Sequence, residues 1–398
     1  MNHRPSASAS RSGAASRRFD AVPLLDLSRQ YRTIADQVLA AIERVCASQR
    51  FILGEQVEAL EREITAFTGA AASAACASGT DALGLALLTL GVRPGDVIIT
   101  SPFSFFASAS AIARVAARPV FVDIDPATFN LDPRQVQAKL RAQGAFRCKA
   151  ILPVHLYGQC ADMDTLRQVA QEFEILVVED AAQAIGATWN NARAGSMGVA
   201  AAFSFYPSKN LSAYGDAGLV TTSQEEMARH IRQLRNHGSA QRYHHDELGW
   251  NSRMDEIQAA VLRVKLAYLS KWNERRQEHA ASYDRLLAAA GLVSGQATSP
   301  LRLPYRHARA GHVFHQYVIR ASRRDELRSF MAERRIESEV YYPVPLHLQP
   351  SFSYLGYAAG DLPQAEQAAG EVLALPMFAE LTAEEQARVV ETIAEFYS

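Results

Sequence analysis

The chain has 398 residues, and its 41 Lys and Arg against 42 Asp and Glu give a formal charge of −1. This balance argues against general affinity for nucleic acid or for an acidic membrane surface, because both require a net positive face. The length predicts two domains, or one large domain with a smaller one, and no apolar run approaches the roughly 20 residues of a membrane span.

The N-terminal residues differ in composition from the rest. Residues 1–18 are rich in Ser, Ala and Arg and contain no acidic residue. We expect residues 1–20 to be a disordered tail, with a transit-type segment as the alternative. The four cysteines form no C-x-x-C pair and no dense framework. This pattern predicts a reduced, cytoplasmic protein with small buried thiols, and we expect no metal site.

From Val22 onward, short apolar runs alternate with helical stretches. A long amphipathic segment covers residues 27–48 and leads to Gly54, and a second covers 255–272. The predicted strands are 97–100, 120–124, 150–154, 175–179, 201–205 and 219–222. The predicted helices between them are 80–90, 106–116, 133–141, 163–173 and 225–236.

This alternation predicts an α/β fold with a mainly parallel central sheet. The near-continuous apolar character of the strands is typical of burial on both faces. We place a large domain at residues 21–270. Residues 271–398 are predicted to form a smaller C-terminal α/β domain, with helices near 325–335 and 383–396.

In a parallel α/β sheet, ligands bind beyond the carboxyl ends of the strands. Glu179 and Asp180 end one apolar strand and should point to opposite faces. A buried carboxylate there is costly unless it is paired, and a cationic ligand nitrogen would pair it; a structural carboxylate capping the next helix is the alternative. Gln183 lies one turn further on and can point into the same crevice.

Lys209 follows another apolar strand and a Pro turn. Desolvation would lower its pKa and free the neutral amine, which can form a Schiff base with an aldehyde. For a single lysine, a solvated position in a loop is the ordinary alternative.

Two further segments are candidates for the same site. Ser78, Gly79 and Thr80 place small residues and free N–H groups at a helix N-terminus, which suits a phosphate or simply an ordinary N-cap. In the segment after residue 100, Phe105 is our candidate for stacking on a planar ring, with Phe103 as the rival; aromatic clusters are more often part of a core.

Together these four features supply what pyridoxal 5′-phosphate (PLP) requires: a lysine for its aldehyde, a carboxylate for its pyridine nitrogen, an anion cup and a stacking face. The carboxylate matters because a protonated ring nitrogen lets the ring act as an electron sink. We therefore predict PLP as cofactor.

With these motifs in hand, the chain resembles the DegT/StrS family of sugar aminotransferases, which are fold-type-I PLP enzymes. The likeness runs from about Val22 to Ile393. It rests on segments that recur in order along the chain: 51–54, 78–83, 119–125, 153–159, 179–183, 203–210, 213–216, 236–238, 251–256, 342–347 and 375–377.

The resemblance implies a role for each matching residue. Lys209 would hold the cofactor and later move a proton, Asp180 would bind the pyridine nitrogen, and Gln183 would contact the region of the ring hydroxyl. The phosphate would be held by Gly79, Thr80 and Ser204, with Asn251 reaching it from a neighbouring subunit. Weaker candidates for substrate contact, with packing as the alternative, are His237, Tyr342 and His347.

The resemblance also implies a reaction and partners. The amino group would pass from an amino acid, L-glutamate as in relatives, to a keto nucleotide-sugar. The run that begins at Asn251 looks more like relatives acting on 3-keto than on 4-keto sugars. A homodimer with shared active sites is expected. The alternatives are a PLP-dependent nucleotide-sugar dehydratase, which Lys209 disfavours because some dehydratase relatives carry His there, and a regulatory protein on the same fold.

Overall fold

A computed structural model describes residues 21–143, 148–293 and 299–398; the predicted tail, residues 1–20, lies outside them. The helices are α1 (Leu27–Ser48), α2 (Glu55–Thr68), α3 (Gly79–Thr89), α4 (Ala107–Arg114), α5 (Pro133–Gln143), α6 (Met163–Glu172), α7 (Glu225–Leu234), α8 (Glu256–Leu266), α9 (Leu269–Ala289), α10 (Arg324–Glu333), α11 (Pro363–Glu371) and α12 (Ala383–Tyr397). The strands are β1 (Ala72–Cys76), β2 (Val97–Thr100), β3 (Arg118–Phe121), β4 (Cys148–Leu152), β5 (Leu176–Asp180), β6 (Thr188–Trp189), β7 (Ala192–Arg193), β8 (Ala200–Ser204), β9 (Gly218–Thr222), β10 (Leu301–Arg302), β11 (Ala310–Gly311), β12 (Tyr317–Ala321) and β13 (Val372–Leu375).

A seven-stranded sheet forms the centre of the molecule, in the order β1-β9-β8-β5-β4-β2-β3. Pairing from β8 through β5, β4 and β2 to β3 is parallel, whereas β9 runs antiparallel to both β1 and β8. The predicted α/β fold with a mainly parallel sheet is therefore confirmed. The parallel strands bring their carboxyl ends to one edge, where ligands bind in such sheets.

Both faces of this sheet are buried. Ile98 of β2 and Val178 of β5 pack in a core that includes α3 and α7. Their chain neighbours Ile99 and Val177 point the other way, into a core that includes α2 and α6. Successive strand residues alternate between the two faces, so a strand covered on both sides must be apolar throughout.

A second core lies mainly in the C-terminal part of the chain. It joins the later turns of α9 to β12, β13, α10 and α12, with Tyr283, Ile319 and Leu373 completely buried. A three-stranded sheet, β10-β12-β13, runs through it. This arrangement supports a smaller C-terminal unit, while its boundary at residues 270 and 271 stays a prediction.

Two of the differences from the sequence prediction have a clear physical reason. Strand β1 was not predicted, because Ala72–Cys76 lacks the β-branched and aromatic residues that favour strands; its pairing with β9 makes it a strand. The segment 255–272 is two helices rather than one. The Tyr268 N–H bonds to the Lys265 carbonyl three residues back, so the chain turns between α8 and α9.

The described residues include no helix long and apolar enough to cross a membrane. They also bring together no group of three or more His, Cys, Asp or Glu side chains suited to a metal ion.

Candidate active site

A cavity of about 750 Å³ opens at the carboxyl edge of the large sheet. Its volume is in the usual range for a small-molecule site. The described residues that line it are Ser78, Gly79, Thr80, Leu83, Ser104, Phe105, Ala107, Ser108, Val154, Asp180, Ala182, Gln183, Ser204, Tyr206, Ser208, Lys209, Asp216, Ala217, His315, Gln316, Glu339, Val340, Tyr341 and Tyr342.

Lys209 lies in this cavity on the loop that follows β8. Burial lowers the pKa of its amine to about 8, and the nearby carboxylate of Asp180 only partly opposes this. Among the described residues, no carboxylate forms an ion pair with the Lys209 Nζ atom within 4 Å. Lowering the pKa raises the fraction of neutral amine near neutrality, and the neutral amine is the nucleophilic form.

Asp180 is the last residue of β5 and is almost completely buried. Its Oδ2 accepts a hydrogen bond of 2.7 Å from the Ser108 hydroxyl, and its Oδ1 accepts one of 3.2 Å from the Ala182 N–H. Burial raises the pKa of Asp180, and these two bonds offset part of that rise. The Asp180 carboxylate thus lies away from bulk water and can still accept a hydrogen bond from a cationic partner.

Glu179, one residue earlier, points to the opposite side of β5, as predicted. Its carboxylate accepts N–H bonds of 2.7–2.9 Å from Gly195, Met197 and Gly198, and a bond of 2.9 Å from His155 Nε2. Although burial alone would raise it, these bonds hold the pKa of Glu179 below its ordinary value. Glu179 therefore fastens the loop before β8, and Asp180 faces the cavity.

The small residues at the start of α3 meet the end of β8 at close range. Ser78 caps the helix by accepting the Asp81 N–H at 3.1 Å. A Cβ added to Gly79 would come within 2.6 Å of the Ser204 Cβ. The first N–H groups of a helix lack partners within it and carry partial positive charge. This corner is a cup suited to an anion.

Phe105 and Phe103 take different positions. Phe105 lines the cavity, its side chain is 58% exposed, and its ring centroid lies 6.2 Å from that of Tyr342. Phe103 is fully buried in the C-terminal core. Of the two, Phe105 offers a ring face to the cavity.

Gln183 links the walls of the cavity. Its Oε1 accepts the Tyr157 N–H at 2.7 Å, and its Nε2 donates to the Tyr342 hydroxyl at 3.0 Å. Tyr342 therefore also lines the cavity, at the side formed by the C-terminal unit.

Three residues of the sequence prediction do not line the described cavity. His237 and Asn251 are exposed, on two segments joined by hydrogen bonds next to α7. His347 is buried, and its Nε2 lies 3.1 Å from Glu366 Oε1. The structure places His347 in packing beside Glu366, the alternative considered for it, while an exposed position leaves His237 and Asn251 available to a second chain.

Sequence reasoning missed several lining residues, of which His315 is the clearest. Its Nδ1 lies 3.1 Å from Asn210 Oδ1. Burial, with the positive charges of Lys209 and Arg276, holds the pKa of His315 well below its ordinary value. It lies more than 100 residues after Lys209 in a segment of mixed polar and apolar residues, and no local pattern there indicates this contact.

The cavity thus combines an amine of lowered pKa, a buried carboxylate, an anion cup and an exposed aromatic ring. A family model described as the DegT/DnrJ/EryC1/StrS aminotransferase family matches residues 32–394. The chain belongs to this family. The resemblance proposed from sequence is therefore confirmed, and the chain is a sugar aminotransferase, of a PLP-dependent enzyme class.

Members of the DegT/DnrJ/EryC1/StrS family with similar sequences carry two kinds of name. A "Pleiotropic regulatory protein" of Geobacillus stearothermophilus is 51% identical, covering 94% of this chain and 98% of the relative. A UDP-N-acetyl-3-dehydro-alpha-D-glucosamine 3-aminotransferase of Acidithiobacillus ferrooxidans is 43% identical, covering 94% and 97%.

The fold agrees with a solved structure of the family. The S. venezuelae protein DesV, in complex with a ketimine intermediate, superimposes with a TM-score of 0.90 at 42% identity. The match covers 95% of this chain and 99% of that one.

Proposed function

We propose that this chain uses PLP to move the amino group of L-glutamate to the 3-keto carbon of a nucleotide-linked sugar. The observation that carries the proposal is the placement of Lys209 and Asp180 in one cavity with the N-terminus of α3. An amine whose pKa is lowered to about 8 and a buried carboxylate are the two groups this chemistry needs most.

The residues present fit the cofactor. The cup of Gly79, Thr80 and Ser204 would hold the phosphate at the N-terminus of α3. Gly79 lies so close to Ser204 that a Cβ there would come within 2.6 Å of the Ser204 Cβ. Asp180 would bind the protonated pyridine nitrogen. The positive charge of that nitrogen would offset the cost of burying the Asp180 carboxylate without a cationic hydrogen-bond donor. Lys209 would hold the aldehyde carbon through its amine.

The cofactor, when bound, supplies an electron sink for the carbanion left when the Cα proton is removed. Lys209 is the group that takes and returns this proton, because its lowered pKa lets the amine act as base and the ammonium as acid near neutrality. Asp180 keeps its charge beside the ring, and Gln183 fixes Tyr342 at the cavity wall. Glutamate leaves as 2-oxoglutarate in the first half of the reaction, and the sugar gains the amine in the second.

The choice of a 3-keto nucleotide sugar is supported by the Acidithiobacillus ferrooxidans relative, whose name states a 3-dehydro sugar and a UDP carrier. The resemblance of the run at Asn251 to relatives acting on 3-keto sugars points the same way. A homodimer is part of the proposal, with Asn251 of the partner subunit reaching the cofactor phosphate.

A regulatory protein on this fold is the second candidate, because the 51% identical relative is named for regulation. A purely regulatory role would not require a nucleophilic lysine in a cavity with a carboxylate. Lys209 and Asp180 therefore favour catalysis.

The decisive experiment incubates the purified protein with PLP, L-glutamate and a panel of 3-keto and 4-keto nucleotide sugars, with products identified by mass and NMR. We expect 2-oxoglutarate and a 3-amino sugar, and with Lys209→Ala neither product nor a borohydride-reducible cofactor adduct. Sugar dehydration without 2-oxoglutarate would favour the dehydratase. Absence of cofactor absorbance in the wild-type protein would favour the regulatory role.

A further inference from the structure

Three oxygen atoms form a buried row that ends on Asp180. The Ser104 and Ser108 hydroxyls lie 2.8 Å apart, and the Ser108 hydroxyl lies 2.7 Å from Asp180 Oδ2. The three residues are 3%, 1% and 4% exposed, so bulk water does not replace any of these bonds. Both serines line the cavity, yet neither has a place in the mechanism described above.

The direction of the bonds follows from counting protons. An ionised carboxylate only accepts hydrogen bonds, so the single Ser108 hydroxyl proton must go to Asp180. Ser108 then has no proton left for Ser104, and Ser104 must donate to Ser108. Each donated bond polarises the next one, and a bond to a charged acceptor is the stronger kind. The row therefore stabilises the charge on Asp180.

This support comes from one short segment. Ser104 lies in the turn after β2, and Ser108 lies in the first turn of α4 on its buried side. Phe105, between them, lines the cavity with its ring. The same turn thus places the aromatic face and the two hydroxyls that act on Asp180.

Other groups also act on this carboxylate. Lys209 and His155 favour its charged form, whereas burial disfavours it, and the Tyr342 hydroxyl also lies within electrostatic range. Lys209 ceases to be an independent cation when its amine holds the cofactor. The two serines are uncharged and keep their hydrogen bonds at that stage.

We propose that Ser108, supported by Ser104, is a positioning residue that keeps Asp180 ionised and oriented toward the cofactor's pyridine nitrogen. The inference rests on the proposed PLP function. In it, each serine acts through Asp180 and touches no reacting atom.

The test reconstitutes the protein with PLP carrying ¹⁵N in its ring and follows the ring-nitrogen NMR shift with pH. We expect a protonated nitrogen in the wild-type protein across the neutral range. In Ser108→Ala the nitrogen should lose its proton at lower pH, and kcat should fall about ten- to a hundred-fold with a smaller change in KM. Ser108→Thr keeps the hydroxyl and should restore both the ring-nitrogen titration and kcat. Ser104→Ala should shift the titration in the same direction but by less. Asp180→Asn removes the anionic partner and shows the NMR shift of an unprotonated ring nitrogen.

Ser101→Ala is the matched control, because Ser101 is also a buried serine of this segment but its hydroxyl bonds the backbone of Phe103. It should leave the ring-nitrogen titration unchanged. A wild-type titration in Ser108→Ala would overturn the inference while leaving the proposed function intact. A wild-type protein that binds no PLP would instead defeat the proposed function. If Ser108→Ala fails to fold, Ser104→Ala becomes the deciding variant. An unchanged ring-nitrogen titration in Ser104→Ala would then contradict the proposal.

Discussion

At the scale of single residues, two buried lysines show how position decides function. Burial lowers the pKa of both Lys209 and Lys265 to about 8. The Lys265 amine donates a hydrogen bond of 2.5 Å to the Ser212 hydroxyl oxygen, and Lys265 does not line the described cavity. Lys209 faces the cavity beside Asp180. The same chemical group is structural in one place and available to a ligand in the other.

Capture of the cofactor aldehyde by Lys209 should therefore depend on pH. Below a pH of about 8 the amine is protonated and unreactive, so the rate should rise about tenfold per pH unit and level off above that value. Stopped-flow absorbance of cofactor-free protein mixed with PLP measures this rate. A midpoint near the ordinary lysine value of 10.5 would contradict the burial argument.

Lys265→Met is the matched control for that profile. It removes the other lysine of lowered pKa without touching the described cavity lining, so the midpoint of aldehyde capture should stay where it is.

At the scale of structural elements, the anion cup depends on how closely α3 approaches the sheet. Gly218 begins β9 and pairs with Cys76 on one side and Ser204 on the other. A Cβ at Gly218 would lie 2.2 Å from the carbonyl carbon of Ser78. Gly218 thus lets Ser78 and Gly79 lie against Ser204.

Gly218→Ala should push the start of α3 away from β8 and weaken PLP binding by about tenfold or more, because overpacking by one methyl costs about 1–3 kcal/mol. Fluorescence titration with PLP gives the dissociation constant. Gly370→Ala is the control, since a Cβ at this exposed position of α11 meets no atom within 4 Å. Equal affinities of the two variants would show that the close approach is dispensable.

Glu179 supports the same region from the other side of β5. Glu179→Ala leaves three backbone N–H groups and His155 buried without their acceptor, and should lower the free energy of unfolding by about 3–5 kcal/mol. Urea unfolding measures the loss. Glu172→Ala removes a carboxylate from an exposed pair with Arg141 and should change stability little. Similar losses in both would mean that burial of Glu179 adds nothing.

At the scale of the whole molecule, the exposed position of Asn251 and its absence from the described cavity lining fit a site completed by a second chain. If so, mixing Lys209→Ala subunits with Asn251→Ala subunits should restore activity. A hybrid dimer holds one site with both native residues, so about a quarter of all sites should recover after random exchange.

The measurement refolds the two variants together and compares the rate of 2-oxoglutarate release with the sum of the separate variants. The control is Lys209→Ala mixed with Asp180→Asn. Both residues line the same cavity of one chain, so every site of a hybrid dimer would still lack one of them. No recovery in the test mixture would place Asn251 in its own subunit's site. Recovery in the control would show that mixing restores activity by some route other than shared sites.

The sequence by itself determined the strands β2, β3, β4, β5, β8 and β9 and the helices between them, because the periodicity of apolar residues follows from burial of strands on both faces and of helices on one. It also predicted Lys209 and Asp180 as site residues, since each lies at or just after the carboxyl end of a predicted strand, where ligands bind in such sheets. The local sequence pattern was enough to predict these residues.

Only the tertiary structure decided which distant residues meet. Gly218 and Ser108 lie in an ordinary strand and an ordinary helix, His315 lies in a mixed polar and apolar segment, and no local pattern marks any of them. They act through contacts between elements far apart in the chain, and such contacts depend on how the sheet orders β9, β8 and β5 side by side. Periodicity records how much of an element is buried, but not which atoms of another element bury it.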